Sequence, residues 1–251
     1  MTLRWSENNE HLLDAVGQRV GLKARNLLST HLRLWDRYSR FLETVQARYH
    51  SASAEYRDTF EDLSAANRQL PPSGTLTLEH QALWDRTIVC GEAVELEVES
   101  FYLFAKILVD RVADTIFQFF GIDWPAKGSS HSHLARQFNR LEQRAKTPSE
   151  MIGLAKEVQE RIVTFRDDLI EHLDDPRHIR GSGLDEQNVA KLLFPTVLYP
   201  KTNESPLRKL SEDSREVIDL LDRYIAVAVK CLQDNLGKCV LESFKQTEPR
   251  Q

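Results

Sequence analysis

Cysteine is scarce in this chain. Cys90, Cys231 and Cys239 are the only three in 251 residues, so no paired framework exists. Cys231 and Cys239 stand eight residues apart in a helical pattern, about 12 Å along the axis and too far to bridge. Buried free thiols in a reducing compartment are the expectation, and with them a cytoplasmic location. Positive charge is not in excess either. The formal net charge is −5, so there is no overall basic field of the kind a general nucleic-acid binder shows, and any RNA contact has to come from a local patch. No apolar run approaches the ~18 residues of a membrane span. The richest segment, FYLFAKILVDRVADTIFQFF, is broken by Lys106, Asp110, Arg111, Asp114 and Gln118 and reads as a buried core helix. The opening residues, MTLRWSENNEHLLD, have no apolar stretch suited to a signal peptide.

The common catalytic signatures are missing as well. There is no Cys-x-x-Cys, no Walker loop, no Gly-x-Gly-x-x-Gly and no Gly-x-Ser-x-Gly, which leaves hydrolase, kinase and dehydrogenase readings without an anchor and calls for no cofactor. No Glu-x-x-His occurs, which disfavours a ferritin-like di-iron bundle. His131 and His133 form a lone His-x-His that a helix would point to different faces, so no metal site is expected.

Proline is absent from residues 1–70 and 73–124, and its nine positions mark the helix boundaries. A proline inside a helix costs ~3 kcal/mol, so long proline-free stretches with three–four apolar spacing favour long helices. The pattern predicts a helix near 7–28 with Ser6 as N-cap, a second near 31–69, and a third from about 78 to 120 capped by Thr77. The core face of the third includes Val98, Phe101, Ala105, Leu108, Val112, Ile116 and Phe119. A short helix follows near 131–146. Thr147, Pro148, Ser149 and Glu150 then read as N-cap, N1, N2 and N3 of a capping box. The helix they open runs to about 173 and carries Ile152, Ala155, Val158, Ile162, Phe165 and Leu169. A last helix spans about 206–243, with Leu210, Val217, Leu221, Tyr224, Ala228, Cys231 and Leu232 on one face. Strand signals are nearly absent. The apolar loop around Phe194 and Tyr199 either covers the bundle end or docks a second protomer. The expected fold is all-α, an elongated bundle of about six helices in a single domain, 1–251.

HLRLWDR at 31–37 and HQALWDR at 80–86 match in register but the match fades on both sides. A coincidence or a shared packing device explains it better than duplication, and Trp35 and Trp84 are expected to anchor helix contacts.

One constellation carries chemistry. FRDDLIEHLDDPR at 165–177 contains Arg166, then the polar Asp167, then His172 at Arg-x5-His spacing. On one straight helix Arg166 and His172 lie on opposite edges of the apolar stripe, about 120° and 9 Å apart, so they meet only through a bend or across a two-fold pair of helices. The plain alternative is an arginine paired with a carboxylate and a histidine offsetting the helix dipole. A second feature is HSHLARQFNRLEQRAK at 131–146, where His133, Arg136, Arg140 and Arg144 recur at three and four. That stripe can grip RNA phosphates, pair with Glu92, Glu95, Glu97 and Glu99, or be solvated.

RDDLIEH in a late helix of an all-α bundle resembles the signature of the HEPN superfamily of ribonucleases. ESFYLFAKILVDRVA at 99–113 resembles the preceding long helix of bacterial HEPN-like proteins. The resemblance covers residues 78–243 and leaves 1–70 as an added N-terminal helical hairpin. It implies a homodimer that cleaves RNA without metal, with Arg166 and His172 as the catalytic pair and Asp167 in the adjacent polar position. It also implies a defence or toxin role, with an antitoxin or other protein partner, or else a non-catalytic interaction module of the same fold. Glu171, Asp174 and Asp175 beside His172 would repel an RNA backbone.

Overall fold

Where proline is absent, the chain is helical over long distances. Helix α2 (Leu22–Arg68) runs 47 residues and α3 (Leu78–Phe120) runs 43. The computed structural model describes residues 6–69, 77–122, 130–164, 166, 181–184, 190–193 and 210–241. It is an all-α helical bundle. Among the described residues the other helices are α1 (Ser6–Arg19), α4 (His131–Arg136), α5 (Phe138–Arg144), α6 (Ser149–Val158) and α7 (Leu210–Asp234). A π-helical turn, Gln159–Thr164, continues α6, and a 3-10 turn, Leu236–Lys238, follows α7. No described helix is long and apolar enough to cross a membrane.

The chain divides into two compact units. One holds Met1–Phe41, Phe104–Phe165 and Val217–Gln251, and the other holds Leu42–Leu103 and Arg166–Glu216. In the first unit, α2 and α3 are joined by polar contacts as well as apolar ones. The buried Trp35 indole donates to Thr115 Oγ1 at 3.0 Å, and His31 Nε2 lies 3.1 Å from Gln118 Oε1. Phe41 and Phe104 rings meet at 5.1 Å. The expected α3 core face, Val98 to Phe119, is buried throughout, as is the α7 face from Val217 to Leu232. In the second unit the remaining halves of α2 and α3 are tied by Thr87 Oγ1 to Thr59 O at 3.4 Å and His80 Nε2 to Ala66 O at 2.9 Å. Gln46 donates to the buried Ser214 hydroxyl of α7 at 2.9 Å.

Thr77 caps α3 as its position predicts, its Oγ1 accepting from His80 N at 3.3 Å. Other boundaries differ from the sequence reading. The first break falls at Gly21, not after residue 28. Gly21 takes φ 125, a conformation few other residues tolerate, and its N–H closes the turn on Val16 O at 3.2 Å. Thr30 then stays helical by donating to Asn26 O. The capping box does not form. Pro148 itself takes the N-cap position with an extended ψ of 133°, and Thr147 donates to Ala145 O instead. Helix 131–146 is two helices, because Gln137 leaves the helical region at φ −117, ψ 24. Helix α7 stops at Asp234 rather than near 243, since the Asn235 side chain turns back to Cys231 O at 2.8 Å and reaches Lys146 O at 3.0 Å.

Two further expectations are corrected. An antiparallel strand pair, β1 (Gly181–Leu184) with β2 (Ala190–Leu193), stands where no strand was expected. GSGL and AKLL have little β-propensity, so the ladder hydrogen bonds rather than intrinsic preference hold the pair. The two Trp-containing heptapeptides are not equivalent, since Trp35 is fully buried while Trp84 is 53% exposed and anchors no core. Cys90 and Cys231 are buried thiols and Cys239 is half-buried. Phe194 and Tyr199 lie outside the described residues.

Candidate functional site

The helix that leads to Arg166 is not a straight α-helix. Gln159–Thr164 takes π geometry, and Ile162 and Val163 within it are both fully buried. One extra residue in a helical turn shifts every later side chain by about 100° around the axis. Arg166 is helical and half-buried, while Asp167 and His172 lie outside the described residues.

Gln159, the first residue of the π turn, belongs to a buried polar network. His131 is sealed from solvent and joins α4 to three other elements of the first unit. Its backbone N–H donates to Asp110 Oδ1 of α3 at 2.7 Å, and Lys106 Nζ holds the other carboxylate oxygen at 2.8 Å. The ring Nδ1 lies 3.3 Å from Gln159 Oε1, and Nε2 lies 3.1 Å from the Tyr224 hydroxyl on α7. The amide oxygen accepts only, which fixes the proton on Nδ1 and makes Nε2 the acceptor of the Tyr224 O–H. The two rings also meet edge to face at 5.4 Å. Burial pushes the His131 pKa down to about 4, against smaller opposing contributions from Gln159 and Asp110. Burial raises the Tyr224 phenol far above its ordinary value and pushes the neighbouring Cys231 thiol up to about 12. A neutral imidazole, a protonated phenol and an inert thiol without access to water form a clamp, not an acid–base centre.

Sequence reasoning treated His131 only as half of a His-x-His pair. The missed signal is its register. His131, Leu134, Phe138 and Leu141 are all buried at spacings of three and four, so a histidine occupies a core position that demands hydrogen-bond partners.

The basic stripe is divided by the break at Gln137. Arg136 and Arg140 are exposed, and Arg140 Nη1 donates to Gln137 Oε1 at 3.3 Å. Arg144 has a structural task. Its Nη1 donates to Gly121 O at 2.7 Å and Phe120 O at 3.3 Å, covering the last carbonyls of α3. His133 is half-buried. On the acidic side, Glu97 is buried and paired with Arg48 of α2. Among the described residues no group of three His, Cys, Asp or Glu could hold a metal ion.

The chain matches no protein-family model, no curated protein and no solved structure.

Proposed function

We propose that the chain is a HEPN-like, metal-independent endoribonuclease of the cytoplasm, acting as a homodimer through Arg166, Asp167 and His172. One observation carries the reading: Arg166, followed directly by Asp167, stands at Arg-x5-His spacing from His172 in a chain whose described residues form an all-α bundle, with Arg166 itself helical. The π turn that ends two residues before Arg166 supports it, because such turns recur where a helix must aim a side chain for function.

In this reaction the ribose 2′-hydroxyl attacks the adjacent phosphorus, the 5′-oxygen leaves, and a cyclic phosphate remains. His172 takes or supplies the proton, since imidazole titrates near neutral pH. Arg166 stabilises charge on the phosphate oxygens in the transition state, and Asp167 orients one of the pair. Arg136, Arg140 and Arg144 contribute RNA contacts, with Arg136 and Arg140 carrying more because Arg144 is engaged at the end of α3. In the cell such an enzyme serves as a defence or toxin protein restrained by an antitoxin. Incubating the purified chain with mixed RNA in EDTA tests the proposal. Cleavage by wild type and none by Arg166→Ala is the expected result.

A second reading, a non-catalytic interaction module, draws on a specific feature. Glu171, Asp174 and Asp175 flank His172 in the sequence, and their charge has the same sign as an RNA backbone. An intact RNA pool after prolonged incubation with folded wild type favours this reading.

A further inference from the structure

We propose that the solvent face of α3 between Ala82 and Leu103 docks one α-helix of a partner protein, a helix whose apolar heptad row is flanked by Lys or Arg. The proposal stands apart from the ribonuclease reading and concerns the second unit alone.

The surface has the period of a coiled-coil seam. Val89, Leu96 and Leu103 are 63%, 55% and 39% exposed and recur every seven residues. Ala82, also exposed, continues the row one heptad earlier. An isolated helix gains nothing from a seven-residue apolar row on its wet side. Such a row stays in line with a neighbour only when two helices wrap around each other. The row is not an overflow of the core. Cys90, Val94, Val98 and Phe101 form the buried face of the same helix, about 150° around the axis. Ala93 and Ser100 lie beside the row, four residues after Val89 and Leu96, and their small side chains let a second backbone approach closely. Trp84 and Ile88, 53% and 46% exposed, lie beyond the acidic flank and are not part of the row.

Charge selects the occupant. Asp85, Glu92 and Glu99 recur every seven residues along one flank of the apolar row, and Asp85 and Glu92 are exposed. The opposite flank offers Arg86, Ala93 and Ser100, and Arg86 already faces Glu55 at 3.6 Å. In a two-fold antiparallel pair of these helices, the acidic row would meet its own copy. In a parallel pair it would meet a flank with one cation. A helix with Lys or Arg beside its apolar row complements the exposed Asp85 and Glu92, and flanking charges of this kind set partner choice in coiled coils.

The test uses the full chain and a synthetic four-heptad peptide with Leu at the two core positions and Lys at both flanking positions. The comparison peptides carry Glu at the flanks, or the Lys composition in scrambled order. We expect the ordered Lys peptide to bind at least about tenfold more tightly than either. Leu96→Glu should abolish binding with helical circular dichroism unchanged, since Leu96 is exposed. The double variant Asp85→Lys, Glu92→Lys should reverse the preference toward the Glu peptide. Equal binding of ordered and scrambled Lys peptides, or binding that survives Leu96→Glu, overturns the proposal. So does a wild-type dimer that Leu96→Glu converts to monomer, because the occupant is then a second copy of this chain.

Discussion

The Nε2 of His131 stands 3.1 Å from the Tyr224 hydroxyl, with both side chains fully buried. This contact joins α4 to α7 through an imidazole that is neutral in the folded chain. Its pKa of about 4 lies below the ordinary 6.5. Between those values the unfolded chain binds a proton that the folded chain does not. Stability therefore falls as pH drops through this window and is fully restored above 6.5, the whole difference being on the order of 3 kcal/mol. His31, lowered chiefly by burial, acts in the same direction. Urea unfolding at ~pH 7 and ~pH 5 should show a smaller loss for His131→Gln than for wild type. Equal losses would contradict a buried neutral imidazole.

Tyr224→Phe tests the same contact from its donor side. The substitution keeps the ring and leaves His131 Nε2 as a buried acceptor with no O–H to accept from. A cost of about 1–3 kcal/mol in urea unfolding is expected, with no change in helical circular dichroism. A variant as stable as wild type would mean that the hydroxyl contributes nothing.

The end of α3 supplies an independent test. Gly121 has φ 60, and a Cβ there would meet Val240 Cγ2 at 2.5 Å. Gly121→Ala should destabilise the fold by at least about 1 kcal/mol. Arg144→Ala should cost about 1 kcal/mol, because the carbonyls of Phe120 and Gly121 lose their guanidinium. Arg136→Ala and Arg140→Ala should stay within about 0.5 kcal/mol of wild type, yet weaken RNA binding and flatten its salt dependence. Thermal melts and RNA titrations at two salt concentrations separate the two roles.

The proposed dimer has a simple readout. The chain weighs 29.0 kDa, so light scattering at micromolar concentration should give about twice that mass. A monomer under those conditions counts against a two-fold Arg/His cleft.

Much of the fold was legible because proline and apolar period act locally. Thr77 and the α3 row from Val98 to Phe119 could be read from spacing alone, since a helix buries side chains three and four apart whatever it packs against. The misread boundaries depended on backbone choices with local competitors. Gly21 could continue a helix or end it. Pro148 could serve as N1 or N-cap, and only its extended ψ decides. The π turn was hidden because a buried neighbouring pair such as Ile162 and Val163 also occurs in regular helix, as Leu108 and Val109 do in α3. His131 was passed over for a different reason. A core histidine is identified by partners at Asp110, Gln159 and Tyr224, which are 21, 28 and 93 residues away in sequence. The carbonyl contacts of Arg144 could not be read from the stripe, because its partners come from the end of another helix. Asp167 and His172 remain readable only as a motif, since they fall outside the described residues.

The most direct test of the proposed function is RNA cleavage in EDTA by wild type and by His172→Ala, with circular dichroism recorded on both. Wild type should cut, and the variant should cut about 10²–10⁴ times more slowly while keeping its helical spectrum. A His172→Ala chain that cuts as fast as wild type, or a folded wild type that leaves RNA whole, would contradict it.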